Sequence, residues 1–265
     1  MYSAFQLAKK YFNYYFKAQN GKGHGMHSPF VFDFIIHVLN DKNKYDCYPR
    51  IESLRQQLLK TKTVIEVEDF GAGSALIPFK NRKIKDIANS SLKNKKYAQL
   101  LFRIAKYYES KNIVELGTSF GISTSYLASA NADSKMITFE GSHNIAKIAL
   151  KNFDQISLEN IELIEGNFEQ TLSMIEDKLG TIDLLFVDGN HRKKATLEYF
   201  DFFMKKSTTQ SIFIFDDIHW SKEMEEAWKL IQQNNSVTIT IDLFFIGIVF
   251  FSPDFKVKQH FTVRF

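Results

Sequence analysis

Ile113-Val-Glu-Leu-Gly-Thr-Ser-Phe-Gly-Ile-Ser-Thr124 reads as a buried strand, a glycine turn and the opening of a helix. Ile113, Val114 and Leu116 suit a strand covered on both faces. Gly117 and Gly121 permit a sharp turn and a close backbone approach to a ligand. Ser123 and Thr124 open a helix whose first N–H groups lack intrahelical partners. A second apolar strand, Lys135-Met-Ile-Thr-Phe-Glu140, ends in an acid. In a nucleotide-binding βαβ unit that acid takes the ribose hydroxyls. A glycine loop alone is compatible with a purely structural turn. Loop, helix and strand-end acid at this interval point to a nucleotide-type cofactor.

Outward from this stretch, strands and helices alternate. Strands are expected at 113–116, 135–140, 161–164, 182–187 and 211–215, with helices at 122–131, 143–152, 168–177, 192–205 and 221–233. Strands separated by helices imply a parallel sheet covered on both faces. Val237–Ile241 and Phe244–Phe251 are apolar with no helix between them, so the expectation there is an antiparallel hairpin, followed by an edge strand at 258–264. A helix at 93–108, buried through Leu100, Leu101, Ile104, Ala105 and Tyr108, leads into the first strand.

Upstream, Phe5, Ala8, Phe12, Tyr15 and Phe16 have helical spacing. The expected role is a helix docked on the domain; the alternative is a dimerisation or membrane-surface helix carrying lysines and aromatics. Gly21-Lys-Gly-His-Gly-Met-His-Ser-Pro-Phe30 is a glycine-rich loop ending in a helix start, with Ser28 as cap and Pro29 at the first helical position. His24 and His27 lack neighbouring ligand partners, so the segment reads as a mobile loop, or functionally as a lid. Helices follow at 30–39 and 50–60. Val64 to Ser74 offers a second strand with Gly71-x-Gly73, but Pro78 and the basic run Lys80-Asn-Arg-Lys-Ile-Lys85 follow it rather than an acid-tipped strand. It reads as an exposed linker.

Ligands of open α/β sheets sit at the carboxyl ends of the strands. There the chain offers Gly166-Asn167-Phe168, Asp188-Gly-Asn-His191, and Asp216-Asp217 followed by His219 and Trp220. Asn167 could bond a base and Phe168 stack on it, or Asn167 could cap a helix over a core ring. Neighbouring carboxylates repel unless a cation or donors compensate. Asp188, Asp216 and Asp217 together make a hard oxygen site suited to Mg²⁺ or another divalent cation. The alternative has Asp217 capping the next helix and Asp188 binding cofactor.

Glu115-x-Gly117-x-x-x-Gly121-x-Ser123 resembles the first motif of class I S-adenosylmethionine-dependent methyltransferases, and is most similar in form to the metal-dependent O-methyltransferases. A dinucleotide-binding dehydrogenase would need glycine near Ser119, where Ser119 and Phe120 crowd a pyrophosphate. The resemblance covers roughly residues 95–251. It implies a Rossmann-like α/β methyltransferase sheet, mostly parallel with a C-terminal antiparallel hairpin, flanked by helices. It implies a donor site in 93–265, with 1–92 as a helical extension or lid. Donor contacts fall on Glu115, Gly117, Thr118, Ser119, Gly121 and Ser123 of the loop. Glu140, Gly141, Asn167, Phe168 and Asp188 complete them. Metal ligands fall on Asp188, Asp216 and Asp217, and Trp220 matches the family's tryptophan. His191 stands where relatives carry a catalytic lysine and Asp217 where they carry asparagine, two departures that bear on metal and substrate.

The implied reaction is O-methylation of a small hydroxylated acceptor, with a divalent cation and a histidine base. His191 is the first candidate base and His219 the competitor, whose alternative is a solvent-facing helix start. Other readings are a catalytically silent donor-binding or scaffold protein and an N-methyltransferase, although the Pro-Pro-aromatic signature of the latter is absent. At 45% hydrophobic and 24% charged residues the composition is that of an ordinary globular chain. A net charge of +4 without a dense basic block does not call for nucleic acid. Phe, at 26 residues, is read as core and pocket lining. The single Cys47 excludes an internal disulfide. No signal peptide or apolar run long enough to span a membrane is read, so a cytoplasmic location is expected, with any homodimer forming through the N-terminal helices.

Overall fold

Short continuous apolar runs alternate along the chain with stretches of 3.6-residue apolar spacing, and the elements follow them. The computed structural model describes residues 1–68 and 80–265; the Gly71-x-Gly73 loop and Pro78 lie outside them. In chain order the first elements are α1 (Ala4–Lys17) and α2 (Pro29–Phe34), which continues as a π-helical turn, Ile35–Leu39. Next come α3 (Cys47–Lys60), β1 (Val64–Val67), β2 (Lys80–Lys83), α4 (Ile84–Ser91) and α5 (Lys95–Tyr107). The alternating part comprises β3 (Asn112–Leu116), α6 (Ile122–Ala128), β4 (Lys135–Glu140), α7 (His143–Gln155), β5 (Ile161–Glu165) and α8 (Phe168–Ile175). It continues with β6 (Ile182–Val187), α9 (Lys193–Met204), β7 (Ser207–Asp216) and α10 (Lys222–Gln233). The chain closes with β8 (Ile239–Asp242), β9 (Ile246–Phe250) and β10 (Gln259–Thr262). Two compact units result: Lys42–Gly180, and Met1–Asp41 together with Thr181–Phe265.

In the Lys42–Gly180 unit, β3, β4 and β5 pair in parallel. Ile113, Val114, Leu116, Met136 and Phe139 are buried, as strands covered on both faces require. Leu100, Leu101, Ile104 and Ala105 form the buried stripe of α5, which packs on α6. Every residue of α6 is buried, its serines and threonines included. The Tyr126 hydroxyl donates to Glu52 at 2.9 Å, which satisfies the largest polar group on that helix.

The stretch from Val64 toward the helix at 93, read as an exposed linker, instead supplies β1, while the basic run 80–85 within it forms β2 and the start of α4, and β2 pairs antiparallel with β1. Ile84, Ile87 and Ala88 supply an i, i+3, i+4 apolar face that the surrounding charges masked, and all three are buried.

In the other unit, β6 pairs in parallel with β7, β7 antiparallel with β9, β9 antiparallel with β8, and β8 in parallel with β10. The hairpin and the terminal edge strand are thus as expected. The strands are mostly parallel and carry a C-terminal antiparallel hairpin, the Rossmann-like methyltransferase arrangement. Helix α1 docks through Tyr14 and Ala18 against Phe244, with Leu7, Tyr11 and Phe245 around them. The Tyr14 hydroxyl donates to the Val263 carbonyl. No described helix is long and apolar enough to cross a membrane.

Candidate active site

Strand β3 delivers its last residues into the glycine turn. Gly117 has φ 103° and its N–H donates to the Phe139 carbonyl at 3.0 Å, as does that of Thr118. Gly121 has φ 82°, and a Cβ there would stand 2.3 Å from the Phe153 ring. Both glycines are therefore dictated by backbone conformation, and Gly121 also by packing. Glu115 is fully buried beneath the turn; its Oε2 accepts the Thr124 and Thr138 hydroxyls. Ser123 is buried in the first turn of α6. Ser119 is left-handed (φ 49°), an uncommon backbone for a serine. Its N–H donates to Glu140 Oε2 at 2.8 Å, and its hydroxyl meets that of Ser91 at 2.8 Å.

Glu140, at the end of β4, also accepts the Ser142 N–H at 2.9 Å. Desolvation is the larger influence on its carboxyl and overrides the N–H donors of Ser142, Ser119 and Gly141, so its pKa rises to about 7. After β5, Asn167 caps α8 by accepting the Glu169 N–H at 2.8 Å. The partly exposed Phe168 lies edge-on to Phe139 with ring centroids 6.4 Å apart. The loop residues, Glu140, Gly141, Asn167 and Phe168 all belong to the Lys42–Gly180 unit.

In the other unit, Asp188 follows β6 and Asp216 ends β7. Asp188, His191 and Asp216 each offer a ligand atom, and all three atoms lie within 4.8 Å of one another. His191 Nε2 is 3.7 Å from Asp188 Oδ1, with both side chains mostly shielded. Two carboxylates and an imidazole at this spacing fit a divalent cation. Asn190 and Asp217, beside this group, are both left-handed (φ 47° and 53°). Uncommon backbone of this kind collects at functional sites.

Asp217 is not a member of that group. Its N–H donates to the Phe245 carbonyl at 2.7 Å, and it lines a small pocket with Leu7, His219, Trp220, Phe244 and Phe245. His219 does not face solvent. Its Nε2 is 2.8 Å from Asp242 Oδ2, its Nδ1 is 3.2 Å from Glu225 Oε1, and its ring stacks on Phe244. Burial opposes its charged form, but the two carboxylates outweigh burial and raise its pKa. Glu225 also accepts Lys10 Nζ at 2.8 Å and the Tyr2 hydroxyl at 2.8 Å. The sequence offered no sign of this clamp, because its members are separated by as many as 223 positions. The sequence assigns Thr124 only to the helix start and Thr138 to no role, whereas both hold Glu115. Hydroxyls facing a strand-borne glutamate across one βαβ turn were the available signal.

Residues 114–218 match the family model described as a methyltransferase domain. The chain is 31% identical over 126 residues to a catechol O-methyltransferase of Niastella koreensis, covering 46% of this chain and 55% of that protein. It is 28% identical over 138 residues to a tRNA (guanine-N(7)-)-methyltransferase of Mycoplasma mobile, covering 47% of this chain and 69% of that one. The chain thus spans little more than half of the first relative and about two thirds of the second. The O-methyltransferase of Bacillus cereus, solved with S-adenosylhomocysteine, shares the fold: its TM-score is 0.56 at 19% identity, over 79% of this chain and 92% of that one. The chain carries the class I S-adenosylmethionine-dependent methyltransferase fold and resembles the O-methyltransferases within it.

Proposed function

We propose that this chain is an S-adenosylmethionine-dependent methyltransferase that methylates an oxygen of a small hydroxylated acceptor, assisted by a divalent cation and a histidine base. The convergence of Asp188, His191 and Asp216 carries the reading. A sulfonium donor supplies an already activated methyl group, and a divalent cation acidifies a hydroxyl held against it.

The chain's own residues do the rest. The turn from Gly117 to Gly121 and the Glu140 carboxylate hold the donor's ribose, with Asn167 and Phe168 beside its base. Glu115 acts beneath the turn, keeping it in shape through Thr124 and Thr138. Asp188 and Asp216 hold the cation. His191 takes the acceptor's proton on a ring nitrogen, a step that contributes roughly 10²–10⁴-fold. His219 is a poor base, since both of its nitrogens face carboxylates that favour the charged ring. Residues 93–265 form the donor-binding domain in this reading, and 1–92 an extension with the 21–28 loop as a lid. The protein would work in the cytoplasm.

One observation favours a second role for His191: its nitrogen belongs to the same three-atom group, so it can be a third ligand instead of a base. Metal titration of His191→Ala separates the two, because a ligand role costs cation affinity and a base role does not. The overall reading is tested by transfer of labelled methyl from the donor to catechols and simple sugars, with Mg²⁺ and then with chelator. Donor binding without transfer to any hydroxyl would favour the scaffold reading. Transfer only to ring nitrogens of nucleic acid would replace oxygen by nitrogen as acceptor.

A further inference from the structure

Helix α1 has two unlike faces. One is fastened to the body through Tyr14, Ala18 and the Lys10–Glu225 pair at 2.8 Å. The other presents Phe5, Phe12 and Phe16, which are 80%, 62% and 76% exposed. At 3.6 residues per turn these three rings fall within an arc of about 40°. Three aromatic rings in one row on a fastened helix are a patch, unlike singly scattered apolar residues.

Cationic side chains accompany the row, with Lys9 at its edge on the helical wheel. Residues 1–32 contain Lys9, Lys10, Lys17 and Lys22 and no Asp or Glu. Lys9, Lys17 and Lys22 are exposed, and the Arg264 guanidinium lies 5.1 Å from the centroid of the neighbouring Tyr15 ring. A second copy paired through the same row would gather both sets of lysines along one seam, and like charges disfavour that. A bilayer carrying anionic lipid offers apolar depth for the rings and negative headgroups for the lysines.

We propose that α1 is a membrane-surface helix that lays Phe5, Phe12 and Phe16 into the headgroup–acyl boundary of an anionic bilayer, docking the chain without spanning. The inference does not depend on the methyl-transfer reading, because none of these residues belongs to the candidate active site.

The test is co-sedimentation of the full chain with phosphatidylcholine vesicles and with vesicles containing phosphatidylglycerol. Two variants accompany it: Phe12→Ser with Phe16→Ser, and Lys9→Gln with Lys17→Gln. All four positions are exposed, and circular dichroism confirms that the fold is kept. The expected result is binding to the anionic vesicles that weakens with salt. The serine variant should lower partitioning on the order of tenfold or more, and the glutamine variant roughly fivefold per lysine. Absence of binding to anionic vesicles overturns the proposal. So does binding that the serine variant leaves unchanged, which would be plain charge adsorption. A dimer in light scattering that the serine variant dissociates, without vesicle binding, would assign the row to a second copy.

Discussion

Glu140 is a residue at which stability and binding oppose one another. Its pKa rises from the ordinary value of 4.5 to about 7, so the folded state holds its proton more tightly than the unfolded one. Stability from this group is greatest at low pH, falls between pH 4.5 and 7, and stays low above that. Glu140→Gln is therefore expected to flatten the pH dependence of the ligand-free protein's stability between pH 4.5 and 7. The same variant should weaken donor binding at least tenfold by calorimetry, an order set by losing a charged hydrogen-bond acceptor. An unchanged donor affinity would remove Glu140 from the site. At His191 the expectation is the reverse: His191→Ala should lower kcat by roughly 10²–10⁴ while donor affinity stays put. Equal losses in both would count against a base.

At the level of elements, the glycine turn is held by helices as much as by its own strand. Phe153 of α7 sits where a Gly121 side chain would go, and the Asn152 amide donates to the Phe120 carbonyl at 2.9 Å. Gly121→Ala must either move that ring or leave the left-handed backbone, so it is expected to cost roughly 2–4 kcal/mol in denaturant unfolding and to abolish donor binding. A variant as stable as the parent would mean that the turn is free to relax. Element types were legible because their cues are local: apolar spacing, glycines and capping residues such as Ser28. Helix α4 escaped because its apolar spacing is embedded in a basic run, where charge dominates the pattern.

For the molecule as a whole, ligand linkage offers the most direct check. Donor product at 100 times its Kd should stabilise the fold by about 2.7 kcal/mol, a rise in melting temperature of roughly 5–10 °C for a chain of this size. If Asp188 and Asp216 hold a cation, Mg²⁺ alone should give a further shift that chelator reverses. A donor shift without any Mg²⁺ shift would keep the methyltransferase reading and remove the metal.

The sequence by itself determined the alternation of strands and helices, the glycine turn, the acid at the end of β4 and the carboxylates after β6 and β7. Those are short-range facts, fixed by backbone preference and by side-chain periodicity within one element. Tertiary structure alone decided which of the two adjacent acids joins the cluster. Asp216 ends a strand and meets Asp188 and His191, whereas Asp217 turns into a left-handed backbone and lines a different pocket. It also decided that His219 is held by Asp242 and Glu225, because a charge network between distant segments depends on how the chain packs. Spacing along one strand or helix carries no record of such partners.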